Sequence, residues 1–410
     1  MQNSNKRTTL VIFGATGNLY ADKLAKALFL LFQEKTLPKN FRIIAFARKD
    51  LDTKDFQSLT KDFILKRGAV DEDDLNQFIS LIEYFKGDFS NSDDFINLKN
   101  YLALGNDDLV VFHLATANFL YSKIFENIKN AELNNFGGEA RIMIEKPFGK
   151  DGSDAKYLQN ILGNIFTEEN IFQIDHYLAK ETAQTLSSFR FEENLNISKI
   201  KVIFHESNIV GARGASYDKV GAFRDVGENH MLELLSLLVM NKEKQMNIEN
   251  IRESRAKALE NLYIDDTQKI TRGQYEKYLS EVGVDINSKT ETFFRIFLKS
   301  KDSRFVDTVF ELEGGKGLAD KENEITTTTV SLEIYFENGE KKEFKIQPVP
   351  GTVYESYTNV YRNVFLKDQT LFVSIREIMA QWKLADELLE KWKDTPLVVY
   401  KIGINGEEIN

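Results

Sequence analysis

The chain has 410 residues, 42% apolar and 28% charged, with only five prolines, which excludes a disordered or fibrous protein and is long enough for two cores. A net charge of −10 excludes a broad basic face for nucleic acid and leaves open a local cationic site for a small anion. The absence of cysteine removes disulfides, thiolate nucleophiles and cysteine metal sites together.

The first dozen residues, MQNSNKRTTLVI, lack the apolar stretch of a signal peptide, and no run approaches the length of a membrane span. A cytoplasmic protein without membrane or nucleic-acid partners is expected. TTLVIF (8–13) then reads as a strand and 17–34 as a helix with Leu24, Leu28 and Leu31 on one face. RIIAFA (42–47), LVVFHLA (109–115) and RIMIE (141–145) read as further strands separated by helical patterns. Residues 1–172 are therefore expected to form an α/β Rossmann-type dinucleotide-binding domain with a parallel sheet.

Past residue 172 the pattern becomes one of longer alternating segments: 199–209, 291–300, 327–336 and 341–349. Their period of two predicts a large, mainly antiparallel sheet with one face covered. Helical patterns at 225–240, 247–260, 353–366 and 373–392 complete an α+β second domain over 173–410.

Gly14-Ala15-Thr16-Gly17-Asn18-Leu19 follows the first strand and opens the first long helix. Glycines let the backbone approach a pyrophosphate, and the helix N-terminus presents N–H groups and partial positive charge. The spacing is GxxGxL rather than GxGxxG, so a plain strand-to-helix turn is the competing account. Arg48, at the end of the second strand, stands where an arginine accommodates the 2′-phosphate of NADP; Asp50 nearby tempers that assignment, an ordinary solvated charge run is the plainer account, and NAD is the weaker cofactor alternative.

Three segments concentrate polar groups: IEKPFGKD (144–151), QIDHYLAKE (173–181) and RDVGENH (224–230). Lys146 sits where open α/β sheets place ligands, and Pro147 after it admits a cis peptide, although Lys-Pro after a strand also serves as a turn. If 175–180 opens a helix, His176 and Lys180 share a face and can both reach a phosphate, with Asp175 pointing elsewhere. Surface charge pairing is the plainer account of that segment. Two of the four histidines, His176 and His230, lie in these segments. A histidine titrating near neutrality can take a proton from a sugar hydroxyl when a carboxylate fixes its tautomer, and Asp175 with His230 is the pair assigned. His113 reads as a core or strand-end residue and His205 as structural.

The segments GATGNL, IEKPFG, IDHYLAKE, Glu206 through Asp218, RDVGENH, TRGQY, GGKGLADK and DQTLFV resemble, in order, the signatures of the glucose-6-phosphate dehydrogenase family. The resemblance implies NADP-dependent oxidation of glucose 6-phosphate at C1. His230 and Asp175 would be the catalytic pair, and His176, Tyr177 and Lys180 would hold the phosphate. Lys146 would contact both cofactor and sugar, Glu206 and Asp225 would bind sugar hydroxyls, and Lys316 and Lys321 match basic positions at the sugar site. The resemblance also implies that the second domain, 173–410, binds substrate and mediates oligomerisation as a homodimer or homotetramer; no metal is expected.

Some positions depart from the family pattern. Asn18 stands for Asp, Ala117-Asn118 for a prolyl pair, Glu228 for Gln, and Glu313 for a basic residue expected close to the sugar. Glu228 and Glu313 motivate an alternative, the same chemistry on another phosphosugar or an aminosugar phosphate. A cofactor- or sugar-phosphate-binding regulator without turnover is the third. The shortened C-terminal end makes a second, structural NADP site unexpected.

Overall fold

The computed structural model describes residues 6–191, 196–242, 247–319, 328–346 and 354–409. The chain forms two compact units, Met1–Ala179 with Thr352–Val373, and Lys180–Gly351 with Ser374–Asn410.

In the first unit, strands β1 (Thr8–Phe13), β2 (Phe41–Ala47), β3 (Ile82–Lys86), β4 (Leu109–Leu114), β5 (Glu139–Ile144) and β6 (Ile171–Ile174) are mutually parallel. β1 and β4 are buried at every position, which is why they read as unbroken apolar runs: helices cover both faces of the sheet. The second unit contains β7 (Ile197–Glu206), β8 (Leu262–Ile264), β9 (Thr271–Tyr275), β10 (Phe293–Ser300), β11 (Val309–Lys316), β12 (Thr328–Phe336) and β13 (Lys341–Lys345). β14 (Phe372–Val373) returns to the first unit and β15 (Leu397–Tyr400) belongs to the second.

The first sheet runs β14-β6-β5-β4-β1-β2-β3, with β14 antiparallel on β6. Its strand order turns between β1 and β4, the place at which doubly wound sheets bind ligands. Residues 352–373 join this unit, whereas the sequence pattern had grouped them with the second domain. The cause is packing. Tyr357, Val360, Tyr361 and Val364, on the helix Glu355–Leu366, are buried in one core with Leu28, Leu31 and Phe41, and Phe372 meets Phe172 edge to face at 4.9 Å. Arg141 Nη1 donates to the Val364 carbonyl in the helix's last turn, 2.5 Å away, and Gln369 Nε2 donates to Glu168 O and Ile171 O. The contact boundary likewise falls after Ala179 rather than at 172.

The second sheet runs β13-β12-β7-β11-β10-β9-β15, with β8 on β10. It is mainly antiparallel as the period of two implies, but β7 with β11 and β9 with β15 pair in parallel, so it is mixed. Alternation sorts its faces. Ile200, Val202, Phe204, Phe310 and Leu312 form the apolar side, while Lys199, Lys201, His205, Glu311 and Glu313 form the other. The π-helix Phe223–Met231 and its α-helical continuation Leu232–Val239 pack in this unit, with Phe223 edge-on to Phe294 and to Trp392 of the helix Ile375–Trp392. Among the described residues no helix is long and apolar enough to cross a membrane.

Candidate active site

The turn Gly14–Gly17 connects β1 to a helix that opens in π form at Tyr20–Leu24 and continues to Gln33. Gly14 has φ +89°, and a Cβ there would lie 2.5 Å from Ala115 O, so only glycine permits this approach to the end of β4. Beside it the buried Thr116 hydroxyl has no hydrogen-bond partner among the described residues. An orphaned hydroxyl next to a glycine turn at a helix start suits the phosphates of a dinucleotide. Thr16, Gly17 and Leu19 are half-buried, Ala15 is buried and Asn18 is exposed. Arg48 is exposed just past β2, and Asp50, which tempered its assignment, is engaged by Lys86 at 2.7 Å. Asn118 Nδ2 donates to Gly149 O at 3.3 Å, tying the altered Ala117-Asn118 pair to the loop after Lys146.

Lys146 is half-buried and precedes a cis Pro147. The next segment does not form the helix that would put His176 and Lys180 on one face. Residues 175–180 form turns, because Asp175 Oδ1 accepts from Tyr177 N at 2.9 Å and its carbonyl accepts from Leu178 N at 3.1 Å. The helix begins only at Glu181, with Lys180 at its N-cap. Asp175 is buried and pushed up from the usual carboxylate range by that burial, against the pull of His176 and Lys146. The His176 ring lies tilted against Tyr177 at 4.9 Å and parallel to Tyr357 at 6.2 Å.

Sequence reasoning missed Glu145. It is buried and accepts from Tyr357 Oη at 3.2 Å, and lies 2.9 Å from His113 Nε2, whose other nitrogen is 2.9 Å from Tyr361 Oη. Burial and this carboxylate push the Tyr357 hydroxyl well above its ordinary range. A carboxylate directly before Lys146 at a strand's C-terminal end was the available signal.

In the second unit, Lys316 is 3% exposed and forms ion pairs with Glu206 and, at 3.1 Å, with Asp225; its ammonium also lies 5.3 Å from the Tyr217 ring centre. Three residues expected at the sugar thus meet, from β7, β11 and the π-helix. His230 is buried near the end of that helix, its ring parallel to Phe204 at 6.3 Å. Its amide donates to Asn229 Oδ1 at 2.7 Å, and Asn229 Nδ2 donates to Glu228 Oε2 and to Arg224 O. Lys321 lies outside the described residues.

Glu313 does not join this group. Three residues from Lys316 on one strand, it projects from the opposite face, where His205 (2.9 Å), Arg295 (2.7 Å) and Lys201 (3.3 Å) surround it. These partners hold its carboxyl down at about 2, against the cost of burial. Glu291, also missed, is buried beneath the start of the π-helix. Burial pushes its carboxyl up to about 7, although Phe223 N donates to it.

A family model described as glucose-6-phosphate dehydrogenase, NAD binding domain, matches residues 11–185, and the corresponding C-terminal domain model matches 191–348. The glucose-6-phosphate 1-dehydrogenase of Borreliella burgdorferi is 30% identical, covering 97% of this chain and 94% of its own length. That of Streptococcus pneumoniae is 30% identical over 98% of this chain and 94% of its own. A solved structure of glucose-6-phosphate dehydrogenase in complex with its substrate glucose-6-phosphate superposes with a TM-score of 0.88 at 28% identity, covering 98% of this chain and 95% of that one.

Proposed function

The chain belongs to the glucose-6-phosphate dehydrogenase family, and from that premise we propose that it oxidises glucose 6-phosphate at C1 to 6-phosphogluconolactone. The observation that carries the reading is the match through both units, at 0.88, to a structure solved with that substrate. The Lys316–Glu206–Asp225 group supports it, since a half-buried cluster of one cation and two carboxylates offers both donors and acceptors to sugar hydroxyls.

The bound nicotinamide cofactor supplies the hydride acceptor. His230 takes the proton from the C1 hydroxyl as general base, and Asp175 is its carboxylate partner, fixing the tautomer and stabilising the charged ring. His176, Tyr177 and Lys180 hold the phosphate, and Lys146 serves both ligands. We assign NADP as the preferred cofactor on Arg48, whose exposed guanidinium at the end of β2 suits a 2′-phosphate. A cytoplasmic homodimer or homotetramer belongs to the same reading, tested by light scattering and cell fractionation.

The test is absorbance at 340 nm with purified protein, a panel of phosphosugars and both nicotinamide cofactors. Glucose 6-phosphate with NADP is expected to give the highest kcat/KM. Better turnover of another phosphosugar would replace the substrate, and calorimetric binding without any reduction of cofactor would make the protein a sensor instead.

A further inference from the structure

We propose that Glu291 is a positioning residue for hydride transfer: its carboxylate holds the first turn of the π-helix that carries Asp225 and His230. The inference rests on the reading of the preceding subsection and extends it to a residue outside the substrate group.

Helices begin with N–H groups that need acceptors. Here the N-cap is Ala222, whose side chain offers none. Residue 291 supplies two from the start of the neighbouring segment: its carbonyl accepts from Ala222 N at 3.0 Å, and its Oε1 accepts from Phe223 N at 3.0 Å. Space for the carboxylate is made by Gly221, at φ +79°, where a Cβ would lie 2.3 Å from Glu291 Oε1. Side chain and glycine therefore require each other.

The helix so capped has unusual geometry. Nine residues, Phe223–Met231, keep π winding, which is uncommon beyond a single turn and concentrates at functional sites. Such a segment has weaker intrinsic preference for one register, so its ends matter more. From the capped turn a short chain of bonds leads to the proposed base. Arg224 O, next to Phe223, accepts from Asn229 Nδ2, and Asn229 Oδ1 accepts from His230 N. A shift at Phe223 thus reaches His230 through bonds within one helix.

A buried carboxylate is an expensive choice for a cap, because an ionised group loses hydration that a neutral acceptor would miss less. Its surroundings only partly compensate. Arg224 on the helix and Arg272 on β9 favour its charged form, while Tyr217 and Tyr278, raised chiefly by burial and also by the Glu291 charge, stay neutral phenols near it. Glu291 is 5% exposed and sits under the helix, bonded to Phe223 N, so it acts through Phe223 rather than on the sugar.

Three variants test this: Glu291→Leu, which removes the acceptor; Glu291→Gln, which keeps an acceptor oxygen without charge; and Gly221→Ala, whose methyl displaces the carboxylate. Wild-type turnover of glucose 6-phosphate is measured first, and its absence would sink the functional reading itself. With an active wild type, Glu291→Leu is expected to lower kcat about 10- to 100-fold per folded molecule, with the cofactor KM within about twofold. Glu291→Gln should recover to within about threefold of wild type. A purely structural glutamate would lower the melting temperature and leave kcat per folded molecule unchanged. A folded Leu variant with kcat within about threefold of wild type, or a Gln variant as impaired as Leu, overturns the positioning role. Should the Leu variant not fold, Gly221→Ala decides by the same kcat criterion.

Discussion

His205 donates from Nε2 to Glu313 Oε1 across 2.9 Å, on the face of the second sheet that Lys316 does not occupy. Because Glu313 is held at about 2, it is the acceptor at any ordinary pH. The sequence departure that most suggested a different sugar is thus committed to a buried ion cluster. Replacing Glu313 with Ala leaves Lys201 and Arg295 short of a partner and should cost about 3–5 kcal/mol of stability in chemical denaturation. Substrate ranking should stay as in wild type. A change in that ranking would return Glu313 to the sugar site.

The same carboxyl has an acid signature. Its folded value lies below the usual 4.5, so its contribution is complete above about pH 4.5 and is lost as pH falls toward 2. Over that window the wild type should lose about 3 kcal/mol that Glu313→Gln never had, read as converging denaturation midpoints.

Glu291 works in the opposite direction. Its folded value, about 7, exceeds the ordinary 4.5, so the folded chain binds more protons than the unfolded one between those values. Stability falls as pH rises through that window, and the full cost, about 3 kcal/mol, is present above pH 7. Glu291→Gln should therefore flatten the stability profile between about pH 4.5 and 7, relative to wild type. Parallel profiles for the two proteins would show that the carboxyl titrates normally.

Lys316 bridges Glu206 and Asp225 while almost wholly buried. Lys316→Met leaves two carboxylates facing each other without a cation, and kcat/KM for glucose 6-phosphate should fall by at least about 100-fold, the equivalent of about 2.7 kcal/mol. Steady-state kinetics with a melting curve separates this from unfolding. A loss below tenfold would remove Lys316 from substrate binding.

His230→Asn should lower kcat by about 10²–10⁴-fold with modest change in KM, whereas Lys180→Ala should mainly raise the KM for the phosphosugar. Arg48→Ala should reduce the NADP preference about 10- to 100-fold. The 340 nm assay reads all three. Equal effects of the His230 and Lys180 variants on kcat and KM would not support separate roles.

How much of this could be read from sequence depended on what each pattern encodes. β1 and β4 were legible because burial on both faces leaves only apolar residues. The two-residue β14 was not, since Phe372-Val373 is too short to show a period. The helix Glu355–Leu366 was visible as a helix but not as part of the first unit, because an amphipathic period says that one face is covered and not by what. The Asp175 turn was missed because a four-residue spacing suggests a helix, while an aspartate accepting from the amide two residues on closes a turn instead. Glu313 could have been placed: three positions from Lys316 in an alternating strand means opposite faces. The π winding of 223–231 left no such trace, nor did Glu291, whose task depends on a backbone about 70 positions earlier.

The return of residues 352–373 to the first unit bears on how the chain matures during synthesis. A nascent fragment ending at Ala179 lacks the helix Glu355–Leu366 and β14, so Leu28, Leu31, Phe41 and Phe172 are left without their covering side chains until some 190 further residues have left the ribosome. The cofactor-binding half is therefore the first to be made and among the last to be closed. Expressed alone as 1–179, it should aggregate. A fusion that appends 352–373 through a flexible linker should restore solubility.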